Sequence, residues 1–353
     1  MDDYPSPQRG RGAPANPPNR FEPLSYSRDP DWTDPEDPAI ETQFFNDTSR
    51  SLISYNDSPD VGFDASINPY RGCEHGCVYC YARPTHEYLG FSAGLDFESK
   101  ILVKADAPEL LRRELSSPRW KAQVLAISGV TDPYQPIERR LQLTRRCLQV
   151  LAEFRNPVVI ITKNHLVTRD VDVLQELAQH QAVRVFLSIT SLDGSLSRVM
   201  EPRASQPSRR LAAIETLSQA GIPTGVLVAP VVPGLTEHEL PSIVAAAVQA
   251  GARSAGYVTL RLPHGVGGLF EQWLGQHFPD RKDKVLHRIR AMRGGKLNDP
   301  RFSSRMRGEG IFAEQIEALF ALACRKANLD GRSLPLSTAA FRVPSNAQLS
   351  LFE

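Results

Sequence analysis

From about residue 60 onward, short apolar runs alternate with amphipathic stretches. The apolar runs fall at residues 65–68, 124–128, 158–162, 183–189, 225–229 and 256–261. The central four are apolar along nearly their whole length, as strands buried on both faces require. Between them, helical periodicity runs over 108–115, 139–154, 171–180, 209–219 and 239–250, and Gly221 with Pro223, and Gly251, supply helix stops. Strands alternating with helices predict a parallel sheet with crossover helices. The expected class is α/β, an incomplete (β/α)6 barrel (a partial TIM barrel) spanning residues 46–262. The element pattern alone leaves a doubly wound sheet as the alternative.

The first 45 residues break this pattern. Nine of the 28 prolines fall before residue 39, among Arg-Gly and Asp-Pro pairs, which predicts a mostly disordered leader. Residues 263–353 read as a helical extension packed on the barrel, ending in a frayed tail. Charged residues make up 23% of the chain and the net charge is +1, so bulk charge draws it to no nucleic acid. A local patch differs: Arg281, Lys282, Lys284, Arg288, Arg290, Arg293 and Lys296 cluster on a segment whose Val285, Ile289 and Met292 form an apolar face. That basic face favours a nucleic-acid substrate over a peptide or small molecule. With no long apolar run and a polar N-terminus, the expectation is a cytoplasmic protein without a membrane partner.

Of five cysteines, three sit close together, Cys73, Cys77 and Cys80, in NPYRGCEHGCVYCYARPTHEYLG. This is metal-site spacing rather than a disulfide framework. A closed zinc site wants four ligands, whereas a cubane can be held by three cysteines with its fourth iron open. The zinc alternative is a zinc-stabilised nucleic-acid-binding module with His86 as fourth ligand; an iron–sulfur electron carrier is a third class. Three thiols with Tyr79 before the last resemble the radical S-adenosylmethionine superfamily. TDPYQPIE, RLPHGVGGLF and MRGGKLND further resemble an uncharacterised bacterial branch related to spore photoproduct lyase.

The resemblance implies a [4Fe–4S] cluster on the three cysteines, S-adenosyl-L-methionine on the open iron, and a 5′-deoxyadenosyl radical that abstracts hydrogen. It also implies an electron donor such as flavodoxin or ferredoxin. Tyr79 is expected near the adenine. Lys163, ending the third strand in ITKN, and Ser188, ending the fourth in LSIT, match the residues that contact the cofactor carboxylate. Arg203, with Glu201 in MEPRASQP, is a further cofactor candidate, and Arg261 and His264 are substrate candidates. Photoproduct lyase returns hydrogen from a cysteine near the end of strand two. Residues 127–133 contain none, so that route is disfavoured, and Tyr134 becomes the candidate redox-active residue.

Overall fold

The computed structural model describes residues 8–22, 40–329 and 335–344. Seven strands form the main sheet: β1 (Ile53–Tyr55), β2 (Ala65–Ile67), β3 (Leu125–Ile127), β4 (Val158–Thr162), β5 (Val183–Ser188), β6 (Thr224–Val231) and β7 (Ser254–Thr259). Their order is β7-β6-β5-β4-β3-β2-β1, parallel throughout except for β1, which pairs antiparallel to β2. Six strands thus lie in the order in which the apolar runs occur. β7 and β1 stand at opposite ends of the hydrogen-bonded order, so this is a mixed α/β fold with a parallel sheet, in keeping with a partial barrel.

Crossover helices α1 (Ala107–Leu115), α2 (Leu143–Phe154), α3 (Val171–Gln179), α4 (Pro207–Gln219) and α5 (Leu240–Gln249) bury Leu111, Leu148, Leu174, Ile214 and Ile243 against Ile127, Ile160, Val185 and Val226. Burying such a side chain contributes roughly 1.5–3 kcal/mol, and this layer is the main stabilising element. One expected helix is broken. Gln142 takes φ +53°, separating Glu138–Leu141 from α2. The break lets the Glu138 carboxylate accept the Thr144 and Arg145 N–H groups, capping α2 from one turn away. After β7 come α6 (Val266–His277), α7 (Pro279–Met292) and α8 (Ile311–Lys326). α6 and α7 pack Phe270, Trp273, Val285 and Ile289 under Val78 and Tyr79, and α8 lies on α5.

The leader is only partly described, residues 1–7, 23–39 and the C-terminal 345–353 lying outside the described residues. The remainder corrects the expectation of disorder. Gly12 and Ala13 donate their N–H groups to the Glu98 carboxylate at 3.0 and 2.8 Å, and Ala13 is fully buried. A Cβ on Gly12 would fall 1.7 Å from the Gly76 carbonyl, so only glycine docks there. Residues Gln43–Asn46 pair parallel with Lys100–Val103, which pairs antiparallel with Tyr70–Arg71, making a small second sheet beside the cysteine loop. Composition argued for disorder; at Gly12 and Ala13, hydrogen bonds from the backbone to one buried carboxylate hold the chain in place.

Candidate metal and cofactor site

β2 runs directly into the cysteine loop, so the loop lies at the carboxyl end of the parallel strands. Its backbone is fixed from two sides. On one, Arg83 donates to the Cys77 carbonyl through Nε (3.0 Å) and Nη2 (2.8 Å) and pairs with Glu98 at 2.5 Å, both side chains fully buried. On the other, Gln135 accepts from Glu74 N–H at 3.0 Å and donates to the Gly72 carbonyl at 3.2 Å. Glu74 also accepts from Ile137 N–H and pairs with Arg203. His75 points to Asp132 (3.4 Å) and Asn164 (3.2 Å). Burial works against the Asp132 anion, but His75 and the donors from Lys163 N–H and Thr162 hold its pKa below the usual range.

Cys73 and Cys77 are buried and Cys80 is half-buried. Burial raises the pKa of all three thiols; Asp132 and the other thiols add to this at Cys73, and Glu201 at Cys77. Thiolates here need cationic compensation, which a bound metal would provide. Among the described residues, no three His, Cys, Asp or Glu side chains converge closely enough to hold one ion. His86 donates Nε2–H to the Lys100 carbonyl at 2.8 Å and packs its ring on Phe91 and Phe97.

Facing the loop are the ends of β4 and β5. Thr162 lies opposite Leu187 in the register, so the next residues, Lys163 and Ser188, stand side by side. Lys163 Nζ donates to Ser188 Oγ at 2.6 Å and to the Ala229 carbonyl at 2.9 Å, lies 5.8 Å from the Tyr79 ring centroid and 3.5 Å from Glu201. Glu201 is buried and accepts hydrogen bonds from Tyr79 Oη, Thr190 Oγ1 and Arg210. Burial opposes its charge, yet Arg210 and Lys163 hold its pKa well below the ordinary carboxylate range. Burial, then Cys77 and Glu201, push the Tyr79 phenol far up, so it stays a neutral donor.

The structure therefore brings together Cys73, Cys77, Cys80, Tyr79, Lys163 and Ser188. Two other candidates are engaged by protein partners. Arg203 reaches Glu74 at 3.1 Å and Thr42 at 3.0 Å, which makes it a brace for the cysteine loop. Tyr134 is fully buried with its hydroxyl on Asp170 at 3.1 Å, inside a network with Arg145 and Arg169. Closed to substrate, Tyr134 is corrected from redox residue to buried structural one; Cys147 is likewise core. Arg210 was missed by sequence reading, its signal being an arginine on the inward face of α4.

Residues 67–247 match the Radical SAM superfamily. An uncharacterized protein of Mycobacterium tuberculosis is 36% identical over 290 residues, covering 81% of this chain and 82% of its own length. The chain belongs to the radical SAM superfamily. It is an enzyme, and members of its family use a [4Fe–4S] cluster and S-adenosylmethionine. A solved spore photoproduct lyase, complexed with dinucleoside spore photoproduct, shares the fold with a TM-score of 0.59 at 16% identity, covering 82% of this chain and 80% of that one. The Radical SAM Nalpha-GlyT isomerase of Pseudomonas phage M6 is 27% identical over 172 residues, 48% of this chain and 34% of its own length. No described helix is long and apolar enough to cross a membrane.

Proposed function

We propose that Cys73, Cys77 and Cys80 hold the [4Fe–4S] cluster, that Lys163, Ser188 and Tyr79 line the S-adenosylmethionine pocket, and that the enzyme abstracts hydrogen from a nucleic-acid substrate. The observation that carries this reading is the Lys163–Ser188 pair facing the cysteine loop across the carboxyl end of one sheet. When bound, the cluster and S-adenosylmethionine supply one electron and a 5′-deoxyadenosyl radical. The chain's own work is positioning. Lys163 offers an ammonium to a carboxylate at the pocket. Glu201, neutralised by Arg210, fixes the Tyr79 ring and shares the Lys163 charge. The Ala229 carbonyl of β6 accepts from Lys163, Ser188 and Thr190 and so holds that edge of the pocket in place.

The architecture in this reading is an incomplete (β/α)6 barrel at residues 46–262 carrying a helical extension from residue 263. Nucleic acid is supported by the dinucleoside complex of the lyase with this fold and by the basic face of α7. Residues 127–133 hold no cysteine, so hydrogen return from a thiol there is no part of the proposal. Anaerobic reconstitution tests it: about four iron and four sulfide per chain with 5′-deoxyadenosine release are expected. Deuterium from labelled DNA should appear in the 5′-deoxyadenosine. One tightly held zinc per chain with no cofactor cleavage overturns the cluster assignment, and label transfer only from peptide pools overturns the substrate.

A further inference from the structure

Beside the cysteine loop, away from Lys163, three arginines meet. Arg261 follows β7, and its guanidinium carbon lies 4.5 Å from the ring centroid of Tyr81, the residue after Cys80. Arg305 pairs with Asp60 and donates to Ser58, and its guanidinium carbon sits 4.5 Å from the Phe302 centroid. Arg293, at the end of α7, is buried and donates to Thr259, the Leu260 carbonyl and the Ser304 carbonyl. Two carboxylates are near, and both are engaged: Asp60 by Arg305 and Ser303 N–H, Asp299 by Arg301 and Ser304. Arg261 itself makes no hydrogen bond or ion pair among the described residues.

A half-buried guanidinium beside two others, without an anion, is an arrangement that stability alone does not favour. Burial and then Arg305 lower the Arg261 pKa, and burial and then Arg261 lower that of Arg293 to about 10, so each cation feels the other. The aromatic partners are open to solvent: Tyr81 is 46% exposed and Phe302 50% exposed. From Arg293, α7 leads away with Arg281, Lys284 and Arg290 all exposed. Lys282 and Arg288 of the same helix instead pair with Glu271 and Glu237.

Building on the nucleic-acid reading above, we propose that Arg261, with Arg293 and Arg305 behind it, forms a phosphate site for single-stranded nucleic acid, and that Tyr81 and Phe302 are surfaces on which its bases stack. The guanidinium fork suits a phosphodiester. Exposed rings beside arginines suit bases, and an exposed basic helix continuing from the site suits a polyanion more than one peptide carboxylate.

The test is fluorescence anisotropy of the reconstituted holoenzyme with labelled single-stranded DNA of about twelve nucleotides, across a salt series. Arg261→Gln is expected to weaken binding roughly tenfold and reduce the log–log salt slope by about 0.7, the share that one neutralised phosphate carries on a single strand. Arg261→Lys should keep the slope. Phe302→Ala should weaken binding about five- to a hundredfold with the slope unchanged. If wild type binds the oligonucleotide and Arg261→Gln matches it in affinity and slope, the phosphate site is overturned while the nucleic-acid reading stands. If wild type binds no oligonucleotide but binds an acidic peptide, both fall.

Discussion

The two sides of the cysteine loop treat charge in opposite ways. On the β4–β5 side, Lys163, Glu201 and Arg210 are mutually paired, with Tyr79 and Thr190 completing the coordination of the carboxylate. On the β7 side, Arg261 has an aromatic face but no anion. The first is a site preorganised before anything binds, its side chains locked by one another. The second retains a cation for which the described residues supply no anion. Where charge is complete, removing a member should hurt the fold; where it is incomplete, removal should spare the fold and hurt binding.

The largest effect expected is on the loop between them. Replacing Cys73, Cys77 or Cys80 by Ala should abolish iron retention and cofactor cleavage while circular dichroism stays native, because the sheet core lies elsewhere. A reconstituted variant that still releases 5′-deoxyadenosine would refute that residue as a ligand. On the paired side, Glu201→Ala leaves Arg210 buried without a counter-ion and should lose about 3–5 kcal/mol in chemical denaturation. A loss under about 1 kcal/mol would erase the contrast between the two sides.

His86 sharpens the comparison from behind the loop, where its buried Nδ1 lacks a hydrogen-bond partner. Burial lowers its pKa from 6.5 to about 4. The unfolded chain therefore takes up a proton as pH falls from 6.5 to 4 while the folded chain does not, so stability is full above that window and falls through it. The loss should approach roughly 3 kcal/mol, and a His86→Leu variant should show a flatter denaturation profile over the same range. Lys163→Ala should weaken S-adenosylmethionine binding roughly ten- to a hundredfold, about 1.5–3 kcal/mol, by calorimetry on the reconstituted protein. Unchanged affinity would remove Lys163 from the pocket. Smallest of all, Arg261→Gln should shift unfolding stability by no more than about 1 kcal/mol, since it breaks no pair; a loss like that of Glu201→Ala would mean Arg261 is structural after all.

Much of this was legible in the chain. Apolar runs of strand length separated by helical periodicity pointed to the six strands of a parallel sheet, because burial on both faces imposes its pattern locally. The spacing of Cys73, Cys77 and Cys80 suggested a metal loop, and Lys163 and Ser188 stood out as polar residues ending apolar strands. The misjudged residue has a different cause. Tyr134 looked like a reactive side chain at a strand end, yet its hydroxyl is committed to Asp170, 36 residues away in sequence.

What the sequence by itself determined was the class of fold and the close spacing of three thiols in one loop, since periodicity and spacing act over a few residues. Only the tertiary structure decided which charges neutralise one another. Glu98 gathers Gly12, Ala13 and Arg83, Glu201 gathers Tyr79 and Arg210, and Arg261 is left without an anion. A buried ion's partner is fixed by distance in space and by the cost of leaving it unpaired, and neither quantity is written in the order of the residues.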